Sequence, residues 1–149
     1  MSAFDIDSGQ DTWDPKDGIM AYADMSTRTY LKDPASALAP YINSKTLYIY
    51  SEKKDGWHCI WDGKGNLYTK SGKLTFDAPP EVIDDFRKTF GTRAVSGELI
   101  VEGEQATEVA KLRKRSGPWD RYGFYAFDLP GKQSRKLPFS DRMDILFMI

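Results

Sequence analysis

This sequence has a single cysteine, Cys59, so no internal disulfide can form and the fold must hold itself together by packing. No secretory leader pattern occurs over Met1–Gln10, and no apolar run approaches the roughly 20 residues that a helical membrane span needs. These absences predict a reducing compartment, namely the cytoplasm, nucleoid or interior of a virus-infected cell, and no membrane partner. Internal repeats and low-complexity tracts are missing too, which sets aside solenoid and linker-like classes.

What is present is a chain of 149 residues, long enough for one domain with a real core and no need of a metal or disulfide to fold. Its 40% hydrophobic, 13% aromatic and 29% charged residues are those of a globular protein. The net charge of -1 conceals a gradient. Seven aspartates (Asp5, Asp7, Asp11, Asp14, Asp17, Asp24, Asp33) face four basic residues in the first 45, whereas Lys111–Arg142 is basic. Lys111, Arg113, Lys114, Arg115, Arg121, Lys132, Arg135, Lys136 and Arg142 could meet phosphates or form a solvated helix face and loop.

Residues 1–33 are polar, rich in Asp, Gly and Ser and without a period, which predicts a loop or a loosely docked arm. Pro34–Tyr41 predicts a short helix ended by Pro40, and from Lys45 an alternation of Leu47 and Ile49 with Tyr48 and Tyr50 reads as a strand. A second strand, Trp57–Asp62, follows the turn at Asp55-Gly56. The run Asp62-Gly63-Lys64-Gly65-Asn66 then makes a hairpin into a third strand through Tyr68 and Lys70. Pro79 and Pro80 open a helix with Val82, Ile83, Phe86 and Phe90 on one face and Gly91 as its stop. A strand over Ala94–Val101, a helix over Gln105–Arg115 and a strand over Phe124–Leu129 complete the pattern. Hairpin-linked strands mixed with helices predict an antiparallel α+β architecture.

Within this frame, Ser51-Glu52-Lys53-Lys54-Asp55-Gly56-Trp57 sets a lysine at the end of a strand, just before a tight turn. Such an amine is either a surface lysine beside a hairpin or a covalent nucleophile, its pKa lowered by desolvation or by a neighbouring cation such as Lys54. Glu98, beside Gly97 in an apolar strand, needs a partner, because a carboxylate facing a core is costly; a ligand, a metal or a salt bridge would serve. Phe127 in a strand is ordinarily a core residue. Asp55 and Gly56 have the character of turn-formers, and Cys59 in its apolar strand that of a core residue.

Further strings follow in order: Trp61-Asp62-Gly63, Ser71-Gly72-Lys73, Ala78-Pro79, Gly97-Glu98-Leu99 and Phe127-Asp128-Leu129. Together with Ser51–Gly56, this series resembles the covalent nucleotidyltransferases, which include DNA ligases, RNA ligases and mRNA capping enzymes. The likeness covers about residues 45–146 and is nearest to the small ATP-dependent DNA ligases of bacteria and viruses. It implies an antiparallel-sheet, ATP-grasp-like adenylation domain over 34–149, preceded by the polar arm of 1–33. It further implies that Lys53 attacks the α-phosphate of ATP, with Mg²⁺, expels pyrophosphate and passes AMP to the 5′-phosphate of nicked double-stranded DNA in repair or replication.

On the same resemblance Glu98 lies near the ribose, Phe127 stacks on the adenine and Glu52 meets the adenine edge. His58 and Lys70 stand where the family has arginines that contact AMP or the DNA backbone, and Arg113, Lys114 and Arg115 could join the nucleic-acid contact. Several positions depart from the pattern. His58 cannot grip a phosphate from two sides as a guanidinium does. Ser96 replaces a frequent aspartate, and Lys73 a usual asparagine. The family's later acidic string, its triphosphate-holding lysines and its oligonucleotide-binding barrel do not occur between Arg142 and Ile149. The resemblance therefore implies an incomplete adenylation domain, weakly active or inactive alone and prone to self-association through exposed strand edges. Two other readings are an RNA ligase or capping guanylyltransferase, and an inactive remnant that binds DNA or a partner through its basic stretch.

Overall fold

A computed structural model describes residues 11–19, 32–42 and 54–149. The chain forms two compact units, one of Met1–Met20 with Lys54–Ile149 and the other of Ala21–Lys53. The polar arm expected over 1–33 is thus shared between them, and the strand expected from Lys45 lies outside the described residues.

In the smaller unit the described element is helix α1, Pro34–Ile42. Asp33 opens it by accepting the Ser36 backbone N–H at 3.3 Å, with Pro34 in the first turn, where its missing donor costs nothing. The helix continues through Pro40 to Ile42 instead of stopping there. The backbone bond that Pro40 cannot make falls on the carbonyl of Ser36, an exposed residue where water can replace it.

The larger unit is an α+β structure built on a five-stranded antiparallel sheet in the order β3-β2-β1-β4-β5. Its strands are β1 (Trp57–Trp61), β2 (Leu67–Thr69), β3 (Thr75–Phe76), β4 (Val95–Val101) and β5 (Tyr122–Asp128). Asp62 makes the β1–β2 hairpin. Its buried carboxylate accepts the N–H groups of Lys64 and Asn66 at 2.7 and 3.0 Å and the Asn66 side-chain amide at 2.9 Å. Gly63 sits at φ 82°, and a Cβ there would meet the Thr92 carbonyl at 2.2 Å, so the Asp-Gly pair is required by the turn itself.

Alternation along the strands gives the sheet two unlike faces. Cys59, Trp61, Leu67, Leu99 and Val101 point to one face and form the main core with Val82 and Phe86 of helix α2, Pro80–Phe90. Phe86 is the hub of that core, stacked on Trp61 at 5.6 Å and edge-on to Phe124 at 4.9 Å. Helix α2 starts after Pro79, whose carbonyl receives Val82 N–H at 3.0 Å, and stops at Gly91. The sequence pattern of this helix is borne out.

The helix expected over Gln105–Arg115 is shorter. One α-turn, α3 (Ala106–Val109), tightens into a 3₁₀ turn, Ala110–Arg113, and Lys114 is already extended. This winding buries Val109 and Leu112 in the main core. It also lets the Trp119 indole cap the Lys114 carbonyl at 3.2 Å, over a Gly117 whose Cβ would strike the Lys111 carbonyl. A last helix, α4 (Phe139–Phe147), brings Ile145 against Val95 and Leu129.

The stretch Asp11–Ile19, expected to be loose, is held firmly. Trp13 is 1% exposed and packs with Ile60 and Ala94. Asp11 is fully buried, accepts the Gln133 and Ser134 N–H groups at 3.1 and 2.8 Å as well as the Ser134 hydroxyl, and lies 3.5 Å from Arg93. Lys132 bridges Asp14 and Asp17 at 2.7 Å each, and Arg135 donates to the carbonyls of Asp17 and Gly18, both at 2.7 Å. The polar composition and missing period that made this segment read as a loop conceal an ionic clip.

Candidate functional site

The second face of the sheet carries the residues singled out in the sequence. His58 in β1 stands opposite Glu98 in β4, and Glu98 stands opposite Tyr125 in β5, so the three side chains share one row across the strands. Pairing then shifts: Gly97 is opposite Ala126 but Ser96 is opposite Asp128, which leaves Phe127 as an extra residue on β5. Phe127, two residues beyond Tyr125, lies on the same face by strand alternation, edge-on to His58 with ring centres 5.1 Å apart and planes at 84°. Glu98 and Phe127 are each half-buried and lie on one wall.

The segment leading into this face is fixed by two contacts. Gly56 runs hard against β4, where a Cβ would meet the Leu99 carbonyl at 2.1 Å. Asp55 accepts the Ala106 N–H at 3.3 Å, at the start of α3. Asp55 and Gly56 thus act in the architecture, as their sequence context indicates. Lys54 lies with its Nζ 4.6 Å from the centre of the Tyr125 ring, a cation–π contact on the same face. Lys53 and Glu52, the expected nucleophile and adenine contact, lie outside the described residues.

His58 is unusual in its chemistry. Its Nε2 is shielded from solvent and has no hydrogen-bond partner among the described residues. Burial, reinforced by the nearby Lys70 ammonium and opposed by Asp128, pushes its pKa down to about 4. It is therefore a neutral imidazole at physiological pH, with one nitrogen unspent. Lys70, at the exposed end of β2, contributes charge to this face. Cys59, on the other side of the same strand, is fully buried and its thiol pKa is raised by desolvation, as suits an inert core residue.

The basic stretch has a different disposition from the one its charge suggested. Arg115 pairs with Asp77 at 2.9 Å, Lys111 with Glu108 at 2.7 Å, and Arg121 with Glu104 at 3.4 Å. Lys132, Arg135 and Arg142 serve the packing of their own unit. Arg113 and Lys114 are exposed and line an open cavity of about 650 Å³. They belong to the turn that packs on the opposite, core face of the sheet, so the structure does not bring Arg113, Lys114 and Arg115 together with His58, Lys70, Glu98 and Phe127. A smaller cavity of about 270 Å³, between Phe86, Phe90 and Tyr122, also opens on the core side.

Two members of the face went unassigned in the sequence: Tyr125, under Lys54, and Asp128, which is bound by Arg142. Asp128 sits in the string Phe127-Asp128-Leu129, where an aspartate amid apolar residues was the available signal, and Tyr125 lies two residues before that string. Among the described residues no three His, Cys, Asp or Glu side chains converge to hold a metal, and no helix is long and apolar enough to cross a membrane. No family model matches the chain, and no match was found among curated proteins.

Proposed function

We propose that this chain carries the adenylation chemistry of an ATP-dependent DNA ligase, with Lys53 as the residue that takes AMP. The observation that supports this most is the grouping of Glu98, Tyr125, Phe127 and His58 on one sheet face, with Lys54, the covalent neighbour of Lys53, held over Tyr125. The half-buried aromatic Phe127 offers a surface for a purine, and Glu98 a carboxylate for a sugar hydroxyl. Lys70 supplies positive charge near the phosphates. The substrate is the magnesium complex of ATP, in which phosphate and water oxygens satisfy the hard, octahedral cation.

In this reading the Lys53 amine displaces pyrophosphate from the α-phosphorus, forming a P–N bond while the P–O bond to the leaving group breaks. An oxygen of the 5′-phosphate at a DNA nick then attacks the same phosphorus, forming a P–O–P link as the P–N bond breaks and the Lys53 amine leaves. Positioning does most of the work in such a transfer, which is why a rigid antiparallel face suits it.

The test is incubation with α-labelled ATP and Mg²⁺ beside a Lys53→Ala variant, while ATP-induced shifts of the Phe127 and Tyr125 ring resonances are followed. Label on the wild-type chain alone, with shifts at those rings, is the expected result. Equal labelling of both chains, or an absence of ring shifts at millimolar ATP, overturns the reading. Replacing ATP by GTP and nicked DNA by nicked RNA separates a ligase of DNA from an RNA ligase or a capping guanylyltransferase.

A further inference from the structure

Asp128 follows Phe127 at the register shift, and it is gripped from helix α4. Arg142 Nε donates to Asp128 Oδ1 at 2.7 Å and Nη2 makes a longer contact with Oδ2 at 3.5 Å. Both side chains are withdrawn from water, 12% and 15% exposed. The third guanidinium nitrogen, Nη1, donates to the Leu137 carbonyl at 2.6 Å, and the group lies 5.4 Å from the centre of the Phe139 ring. Asp128 Oδ1 also accepts the Leu129 N–H at 2.8 Å. One guanidinium therefore joins the end of β5, the loop before α4 and α4 itself, with a fork geometry that lysine cannot reproduce.

We propose that Arg142 is a positioning residue for the nucleotide face: by holding Asp128, the residue after Phe127, it anchors the irregular stretch of β5 on which Phe127 meets His58. This rests on the adenylate reading of that face. Two consequences follow if the guanidinium is removed. The extra residue on β5 loses its anchor, so the Phe127 ring is no longer held in one place. The Asp128 carboxylate also loses its counter-charge and acts on the imidazole more strongly.

The charged and polar groups around His58 fix the sign of the second effect. Lys70, at the end of β2, disfavours the imidazolium, and Asp128 of β5 favours it less strongly. Glu98 of β4 stands opposite, Lys54 lies over Tyr125, and Arg142 of α4 stands behind Asp128. Loss of the positive charge on Arg142 therefore makes protonation of His58 easier.

His58 is the one histidine of the chain, so its imidazole resonances titrate without overlap. The experiment compares the wild-type chain with Arg142→Gln, Arg142→Lys and Asp128→Asn, reading the His58 midpoint and the binding of magnesium–ATP from the Phe127 ring resonances. Arg142→Gln is expected to raise the His58 midpoint by about one pH unit, as an uncovered neighbouring carboxylate does. It should also weaken ATP roughly tenfold, in the range for a stacked aromatic losing its place. Arg142→Lys should restore part of both, and Asp128→Asn should weaken ATP without raising the His58 midpoint.

A folded Arg142→Gln chain in which both readouts equal the wild type overturns the proposal. Should Arg142→Gln fail to fold, unchanged ATP binding in Asp128→Asn overturns it instead. A wild-type chain that takes no ATP sinks the adenylate reading alone, and the His58 midpoints then still decide whether Arg142 governs this face.

Discussion

The His58 imidazole and the Phe127 ring meet edge to face, their centres 5.1 Å apart and their planes at 84°. The pair joins the two strands that flank Glu98, so it ties the electrostatics of the site to its shape.

A pH dependence of stability follows. His58 has a pKa of about 4 in the folded chain against 6.5 for an ordinary histidine. Between those values the unfolded chain binds the proton and the folded chain does not, so stability is fully present above pH 6.5 and is lost as pH falls toward 4. Chemical denaturation at about pH 7.5 and about pH 5 should show the loss in the wild type and a flatter profile in His58→Gln. Identical slopes in the two chains would contradict the assignment. Asp14, held down to about 2 chiefly by the hydrogen bond from Lys132, acts in a lower window, where stability is lost as pH falls from 3.8 toward 2.

Gly97 cannot be enlarged. A Cβ there would lie 2.5 Å from the Phe124 ring and 2.6 Å from the Tyr125 carbonyl, in the row next to the one that carries Glu98. Gly97→Ala is expected to cost about 1–3 kcal/mol through overpacking, measured as a fall in denaturation midpoint with an unchanged slope. A neutral effect would mean that β4 and β5 separate more readily than their register implies.

Asp11→Ala should cost about 3–5 kcal/mol, because it strands a buried guanidinium, the Ser134 hydroxyl and two backbone N–H groups. Limited proteolysis should then cut within residues 11–19 well before the sheet is attacked. Equal protection of that stretch in the variant and the wild type would show that Trp13 alone holds it.

Self-association is expected at high concentration. β5 is an outer strand of the described sheet, and Phe147, Met148 and Ile149 at the end of α4 are exposed. Size-exclusion chromatography with light scattering should show mass rising with concentration. A monomer throughout the range would count against it.

Legibility followed distance along the chain. Helix α2 was readable because its start, apolar face and stop all lie within a dozen residues, and the Asp62 hairpin because its turn chemistry is local. The common face of His58, Glu98 and Phe127 was readable only as an ordered set of strings. The irregular pairing around Phe127 depends on which strand meets which, and no local pattern records it. Charge misled where it was read without partners: Arg142 resembled a phosphate contact but turns inward to Asp128, and Arg115 is taken by Asp77. Asp11 gave no sign of burial, since Gln133 and Ser134, whose N–H groups it accepts, come more than a hundred residues later.

That last separation orders the assembly of the unit. Ser134 meets Asp11 across 123 positions and Lys132 meets Asp14 across 118, so these contacts close the longest loop among those described. Closing such a loop before the sheet exists would cost entropy with little return. The clip is therefore expected to be the last thing to fasten, and under mechanical load applied at the first residues it is the latch that gives way first.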